Sequence, residues 1–205
     1  MGFLSKLFNN TRKPQGFFGK MMVNGMNSGH AALADWGLSH LNAKASAITE
    51  LGCGGGRNAV VLLKKYPLAK LTALDYSEVS VEKTKKTAEK EIASGRCTVV
   101  HGDVSQMPFG AASFDLATAF ETVYFWKIRE SFSEVYRVLR DGGTFMIVNE
   151  SNGEHEADEK WTKIIDGMKI YTAEQLEDAL REVGFTKVTI RKHNEKPWIC
   201  VIAEK

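Results

Sequence analysis

The run Glu50-Leu-Gly-Cys-Gly-Gly-Gly56 is the first place in the chain where residue types and spacing suit chemistry. Gly52, Gly54 and Gly56 carry no Cβ, so the backbone there can turn sharply and come close to a ligand. A helix starting after such a loop offers free N–H groups and partial positive charge to an anion. The spacing is G-x-G-x-G, and the position where a dinucleotide fold wants its third glycine is Arg57. No Gly-Lys-Ser/Thr follows, so a Walker A loop does not fit either. By itself the cluster reads equally as a tight structural turn. Asp75 is the second element, nineteen residues after Gly56. An acid about 20 residues past a glycine loop accepts hydrogen bonds from ribose hydroxyls. Its structural alternative is an N-cap for the next helix, a role that Ser77 can fill. Gly102-Asp103-Val104 is the third. The Asp103 carboxylate suits an exocyclic amine and the Val104 N–H a ring nitrogen, which together make an adenine clamp; the alternative is a solvated turn.

Hydrophobic periodicity supplies the elements that must position these residues. Short apolar runs at 45–51, 71–75, 97–103, 114–120 and 144–150 read as buried strands. Helices alternate with them. Ala59, Leu62, Leu63 and Tyr66 mark one. Val81, Thr84, Ala88 and Ile92 share a face of a helix over 78–92. Ile128, Phe132, Tyr136 and Leu139 share another, ahead of an Asp141-Gly142-Gly143 turn. Thr172-Ala-Glu-Gln175 has the capping-box spacing of a helix start, and Leu176, Ala179, Leu180 and Val183 are its buried face. Residues 185–192 and 197–204 predict a terminal hairpin, and 17–41 one or two helices. Strands alternating with helices predict an α/β fold, an open and mostly parallel sheet with helices on both faces. Ligands bind such sheets outside the carboxyl ends of the strands. All three elements above lie there.

Composition narrows the classes further. The chain has 205 residues, 43% of them hydrophobic, which suits one domain or one domain with a small cap. Twenty-seven Lys+Arg against 25 Asp+Glu give a net charge of +2, so nucleic acid is not an expected partner. No apolar run approaches the roughly 18–20 residues of a membrane span, and stable membrane insertion is not expected. Cys53, Cys97 and Cys200 are odd in number and far apart, so no disulfide framework or structural zinc site is expected. This cysteine usage fits a reducing, cytoplasmic compartment best, and the N-terminus reads as a poor signal peptide.

At these residues the sequence resembles the class I S-adenosylmethionine-dependent methyltransferases. ITELGCGGGRN is similar to their motif I, LTALDYS to motif II, and VVHGDVSQMPFGAASFDLATAF to the stretch after it. EVYRVLRDGGTFMIVNE resembles the helix, turn and strand that close their core. Within them the chain most resembles the ubiquinone/menaquinone-biosynthesis-like group of small-molecule enzymes. The resemblance implies a Rossmann-like seven-stranded sheet with the last strand antiparallel, and S-adenosylmethionine as cofactor. It implies a core over 45–205 with an insertion at 151–171, and an N-terminal helical cap over 1–44. Glu50 and the Gly52–Gly56 loop, Cys53 included, would hold the methionine part of the cofactor. Asp75 would bind the ribose, with Ser77 beside it, and Tyr76 would pack on the adenine. Gly102, Asp103 and Val104 would clamp the adenine edge. Phe120 and Glu121 would sit near the sulfonium.

Methyl transfer asks mainly for alignment in a dry pocket, and a base is needed only where the nucleophile must lose a proton. Glu121 and Tyr124 are the leading catalytic candidates, with Glu150, His30 and His155 as further possible bases. The motifs of DNA amino-methyltransferases (Asn/Asp-Pro-Pro-aromatic) and of cytosine-C5 enzymes (Pro-Cys) are both missing after the fourth strand. The resemblance to the small-molecule group implies a small-molecule acceptor as partner, for a monomer or homodimer. The rival reading is a non-catalytic S-adenosylmethionine-binding module of the same fold. The acceptor pocket is expected between residues 17–36, 124–126 and 149–161.

Overall fold

The computed structural model describes residues 30–205. The expected helical segment over 17–29, with Met21, Met22 and Met26, lies outside the described residues. In chain order the elements are α1 (Ala31–Ser39), β1 (Ala47–Leu51), α2 (Arg57–Lys65), β2 (Lys70–Asp75), α3 (Glu78–Thr87), α4 (Glu89–Ala93) and β3 (Cys97–His101). Then follow β4 (Phe114–Phe120), α5 (Ile128–Val138), β5 (Leu139–Asn149), α6 (Glu156–Ile164), α7 (Ala173–Glu182), β6 (Lys187–Lys192) and β7 (Ile199–Glu204).

The seven strands form one sheet in the order β3-β2-β1-β4-β5-β7-β6. The first five pair in parallel, and β7 runs antiparallel between β5 and β6. The sequence pattern predicts this fold, down to the hairpin that adds the antiparallel strand. Strand order reverses between β1 and β4, and the glycine loop leaves β1 at that point. Alternate residues of β5 serve the two faces, as strand geometry requires. Met146 and Val148 pack with Leu33 and Leu38 of α1 and Leu62 of α2. Phe145 and Ile147 pack with Phe132 and Val135 of α5 and Leu176 and Leu180 of α7. Each cluster is apolar and buried, which is the main stabilising term for such layers.

Three expectations on element bounds need correcting. The helix over 78–92 is two helices: Ala88 leaves helical geometry (φ −99°, ψ 20°), and α4 restarts with Glu89 and Glu91, acids that suit its positive N-terminal end. Leu139 ends the face of α5 in the sequence pattern but begins β5, paired with Phe114. The register then shifts before Leu116 pairs with Thr144. That irregularity takes up the Asp141-Gly142-Gly143 turn inside one strand. β3 stops at His101, so Gly102 and Asp103 lie in the connection past its end. The capping box at α7 is present, with Thr172 and Gln175 bonding reciprocally. Between α6 and α7 the Lys169 N–H donates to the Tyr124 carbonyl at 2.8 Å, tying that connection to the loop after β4.

Candidate active site

The loops at the carboxyl ends of β1, β2, β3 and β4 enclose a cleft of about 290 Å³. Glu50, Gly52, Cys53, Gly54, Asp75 and Tyr76 line it. So do Gly102, Asp103, Val104, Phe120 and Glu121. Gly56, Ser77 and Tyr124 do not. Gly56 is the left-handed N-cap of α2 (φ 78°), and Ser77 caps α3 by accepting from the Ser80 N–H.

The shape of the glycine loop has a definite origin. The N–H groups of Gly52 and Cys53 both donate to the Leu74 carbonyl, at 2.8 and 3.1 Å, folding the loop onto the end of β2. Asp75 then accepts from the Gly54 N–H on Oδ2 and from the Ser77 N–H on Oδ1, both at 2.9 Å. The Thr84 hydroxyl donates to the Gly54 carbonyl at 3.0 Å. Asp75 is therefore also the clasp of the loop. Burial pushes its carboxyl up, and the two N–H donors oppose this. Gly52 has φ +78°, and a Cβ there would lie 2.3 Å from Thr122 Oγ1. Gly54 has φ +53°, and a Cβ there would meet no atom within 4 Å, so this face of the loop is open.

Glu50 lies at the floor, 2% exposed, on the last residues of β1 before the glycines. Its Oε2 is buried with no hydrogen-bond partner among the described residues. Burial first, and the nearby charge of Asp75 second, push its carboxyl up to about 8. A buried carboxyl oxygen without a donor is costly, and a cationic ligand group is what relieves it. Asp103 is exposed, and its Oδ1 accepts from the backbone N–H and hydroxyl of Ser105. The Tyr76 carbonyl is held by His101 Nε2 at 3.0 Å.

A second group of polar side chains sits past β4. Glu121 has φ +58°, and its N–H donates to the Val148 carbonyl at 2.9 Å, turning the side chain back between β4 and β5. Its Oε1 accepts from the Tyr124 hydroxyl at 3.0 Å and from the Glu150 N–H. Tyr124 in turn accepts from the Ser151 N–H at 2.9 Å. His30 Nε2 lies 3.9 Å from Glu121 Oε2 and 3.6 Å from Glu150 Oε2. Burial pushes the Glu121 carboxyl up to about 8 and the Tyr124 phenol well above its ordinary value. Burial lowers His30, against an upward pull from Glu150. Of the candidate bases, the fold brings together His30, Glu121, Tyr124 and Glu150. His155 is elsewhere, as the exposed N-cap of α6.

Phe125 and Trp126 line the cleft as the sequence predicts, and His30, Leu33 and Ala34 of the N-terminal region join them. Residues 149–161 do not line it; they contribute Glu150 to the group beside it. Arg57, Asn58, Thr122 and Lys127 also line the cleft, beyond the site residues that the sequence predicts. Arg57 grips Asp35 through two bonds of 2.8 and 2.9 Å, fastening α1 to the start of α2. Its place directly after the glycines was the available signal. Thr122 had none: it accepts from Trp126 Nε1 at 3.1 Å and backs Gly52.

Comparison with known proteins bears on this geometry. Residues 49–147 match the family model described as "Methyltransferase domain". An O-methyltransferase of Pyrenophora dematioidea is 27% identical over 166 residues, 77% of this chain and 61% of that protein. A sterol 24-C-methyltransferase of Clavispora lusitaniae is 30% identical over 171 residues, 76% of this chain and 45% of that protein. The chain thus spans less than two thirds of these curated relatives. Among solved structures, geranyl diphosphate C-methyltransferase from Streptomyces coelicolor A3(2), in complex with Mg2+, geranyl diphosphate and S-adenosyl-L-homocysteine, superposes with a TM-score of 0.75. It is 13% identical, over 94% of this chain and 85% of that one. Human N-acetylserotonin methyltransferase in complex with SAM gives 0.77 at 16% identity, over 92% and 56%. At such identities these two share the fold. No described helix is long and apolar enough to cross a membrane. From Thr49, beside Glu50 on β1, to Ile147 on β5, the chain is thus similar to a methyltransferase domain.

Proposed function

We propose that this protein transfers a methyl group from S-adenosylmethionine to a small-molecule acceptor. The observation that carries the reading is the unpartnered Oε2 of Glu50 on the floor of a cleft walled by an open glycine loop. The cofactor ends in a cationic amino group, which that oxygen would accept from, so the residues present fit it. When bound, the cofactor supplies an electrophilic methyl on a positively charged sulfur. The chain's own residues bind, orient and keep water out. Glu50 and the Gly52–Gly56 loop hold the amino-acid end, Asp75 the ribose, and Tyr76, Asp103 and Val104 the adenine. Phe120 and Glu121 face the sulfur, and Tyr124 acts on the reaction by fixing Glu121.

In this reading residues 1–44 cap a core of residues 45–205. The relatives' names support small acceptors. Phe125 and Trp126 suit an aromatic or apolar one, as the quinone-biosynthesis resemblance implies. The rival, a binding module that transfers nothing, is favoured by a plugged acceptor side. The cleft instead continues past Glu121 to His30, Phe125 and Lys127. Three free, buried cysteines agree with a reducing, cytoplasmic setting. A thermal-shift assay tests the cofactor. S-adenosylhomocysteine should raise the melting temperature by linkage, and NADH at equal concentration should not. The reverse pattern would replace the methyltransferase reading with a dinucleotide one.

A further inference from the structure

His30, Glu121 and Glu150 come from three separate parts of the chain and converge beside the cleft. Each offers one ligand atom, and the three atoms all lie within 4.8 Å of one another. The separations of His30 Nε2 from the two carboxylates, 3.9 and 3.6 Å, exceed the about 3.2 Å of an N–H···O bond. They fall in the roughly 3–4 Å range between neighbouring ligands on an ion with bond lengths of about 2.0–2.2 Å. Glu121 is already shaped as a ligand. Both of its described hydrogen bonds end on Oε1, from Tyr124 and from the Glu150 N–H, while Oε2 faces His30. Outer partners of this kind fix the orientation of metal-binding carboxylates. The Ser151 N–H fixes Tyr124 in turn.

In the ionised form that binds a cation the two carboxylates repel, and a single imidazolium would cancel half of their charge. A divalent cation cancels all of it, and leaves no net positive field against a cationic methyl donor nearby. We propose that His30, Glu121 and Glu150 form a binding site for a first-row divalent cation such as Mn2+, at the acceptor end of the cleft. One imidazole and two carboxylates suit this class of ion, and three protein ligands leave coordination positions open. His30 and Glu121 line the cleft, so the open positions face it. Resting on the methyltransferase reading, the site favours acceptors with an oxygen that can complete the ion's shell. The ion would polarise that oxygen as a Lewis acid.

The test uses the full chain, stripped with EDTA and titrated with Mn2+ alone, with free ion followed by electron paramagnetic resonance. The expected result is saturation at one ion per chain. His30→Asn and Glu150→Gln should each weaken binding by at least about tenfold. Glu150 is half-exposed, so its variant has little packing to disturb, and a melting curve checks both folds. In the wild type, bound Mn2+ should broaden the His30 ring resonances, a readout that needs no variant. Absence of saturable binding, or equal binding by both folded variants without His30 broadening, overturns the site and leaves His30 as a candidate base. S-adenosylhomocysteine binding is measured on the same samples. Its loss would defeat the methyltransferase reading, and its persistence without Mn2+ binding would defeat the cation site alone.

Discussion

Tyr124 and Glu121 lie three residues apart past β4, and the tyrosine hydroxyl donates to Oε1 of the glutamate at 3.0 Å. The same hydroxyl accepts from the Ser151 N–H, so one phenol joins the loop after β4 to the loop after β5. Tyr124→Phe therefore orphans the buried Ser151 N–H and takes one of two donors from Glu121 Oε1. Stability should fall by about 1–3 kcal/mol for the orphaned group, read from urea unfolding. Glu121 also loses a donor that favours its ionised form, so its pKa should rise further above about 8.

The two raised carboxyls give a pH dependence of definite sign. Glu50 and Glu121 are each pushed up to about 8 in the folded chain, above the ordinary 4.5. Each holds its proton more tightly folded than unfolded. Their contribution is full below the ordinary value and is lost as pH rises through about 8. The ligand-free protein should thus lose stability between about pH 5 and pH 9. Denaturant midpoints across that range check it, and Glu50→Gln should flatten the slope.

Asp75 accepts from two N–H groups, one on each oxygen. Asn keeps one acceptor and turns an NH2 toward the other N–H. Asp75→Asn should cost about 1–3 kcal/mol and also weaken S-adenosylhomocysteine by at least roughly tenfold. A variant of full stability would show that the clasp is unimportant.

Gly52 and Gly54 should separate folding from binding. At Gly52 a methyl group would lie 2.3 Å from Thr122 Oγ1, so Gly52→Ala should reduce stability strongly. At Gly54 the same change meets no protein atom within 4 Å. It should cost about 1–2 kcal/mol for the left-handed backbone and block the cofactor instead. Parallel melting and binding curves on the two variants decide this.

What the sequence made legible was local. Apolar period and glycine spacing are enough to place β1, the loop and β2, and Asp75 follows from its offset. The dual use of Asp75 was not legible, because its bonds to Gly54 and Ser77 depend on how the loop folds against Leu74. The break at Ala88 was hidden by an unbroken apolar face on either side. The meeting of His30 with Glu121 and Glu150 spans over a hundred residues, and only the packing of α1 on β5 brings them together. Thr122 carries no sequence signal, because its role rests on contacts with Gly52 and Trp126 that only the folded loop creates.

The most direct measurement is calorimetric titration of the full chain with S-adenosylhomocysteine, for wild type and Glu50→Gln. Glu50 must ionise to receive the ligand's cationic amine, so binding near neutral pH should release protons, seen as heats that vary with buffer. The account predicts one site in the wild type and an affinity at least about tenfold weaker in Glu50→Gln. No binding by the wild type, or equal binding by the variant, would contradict it.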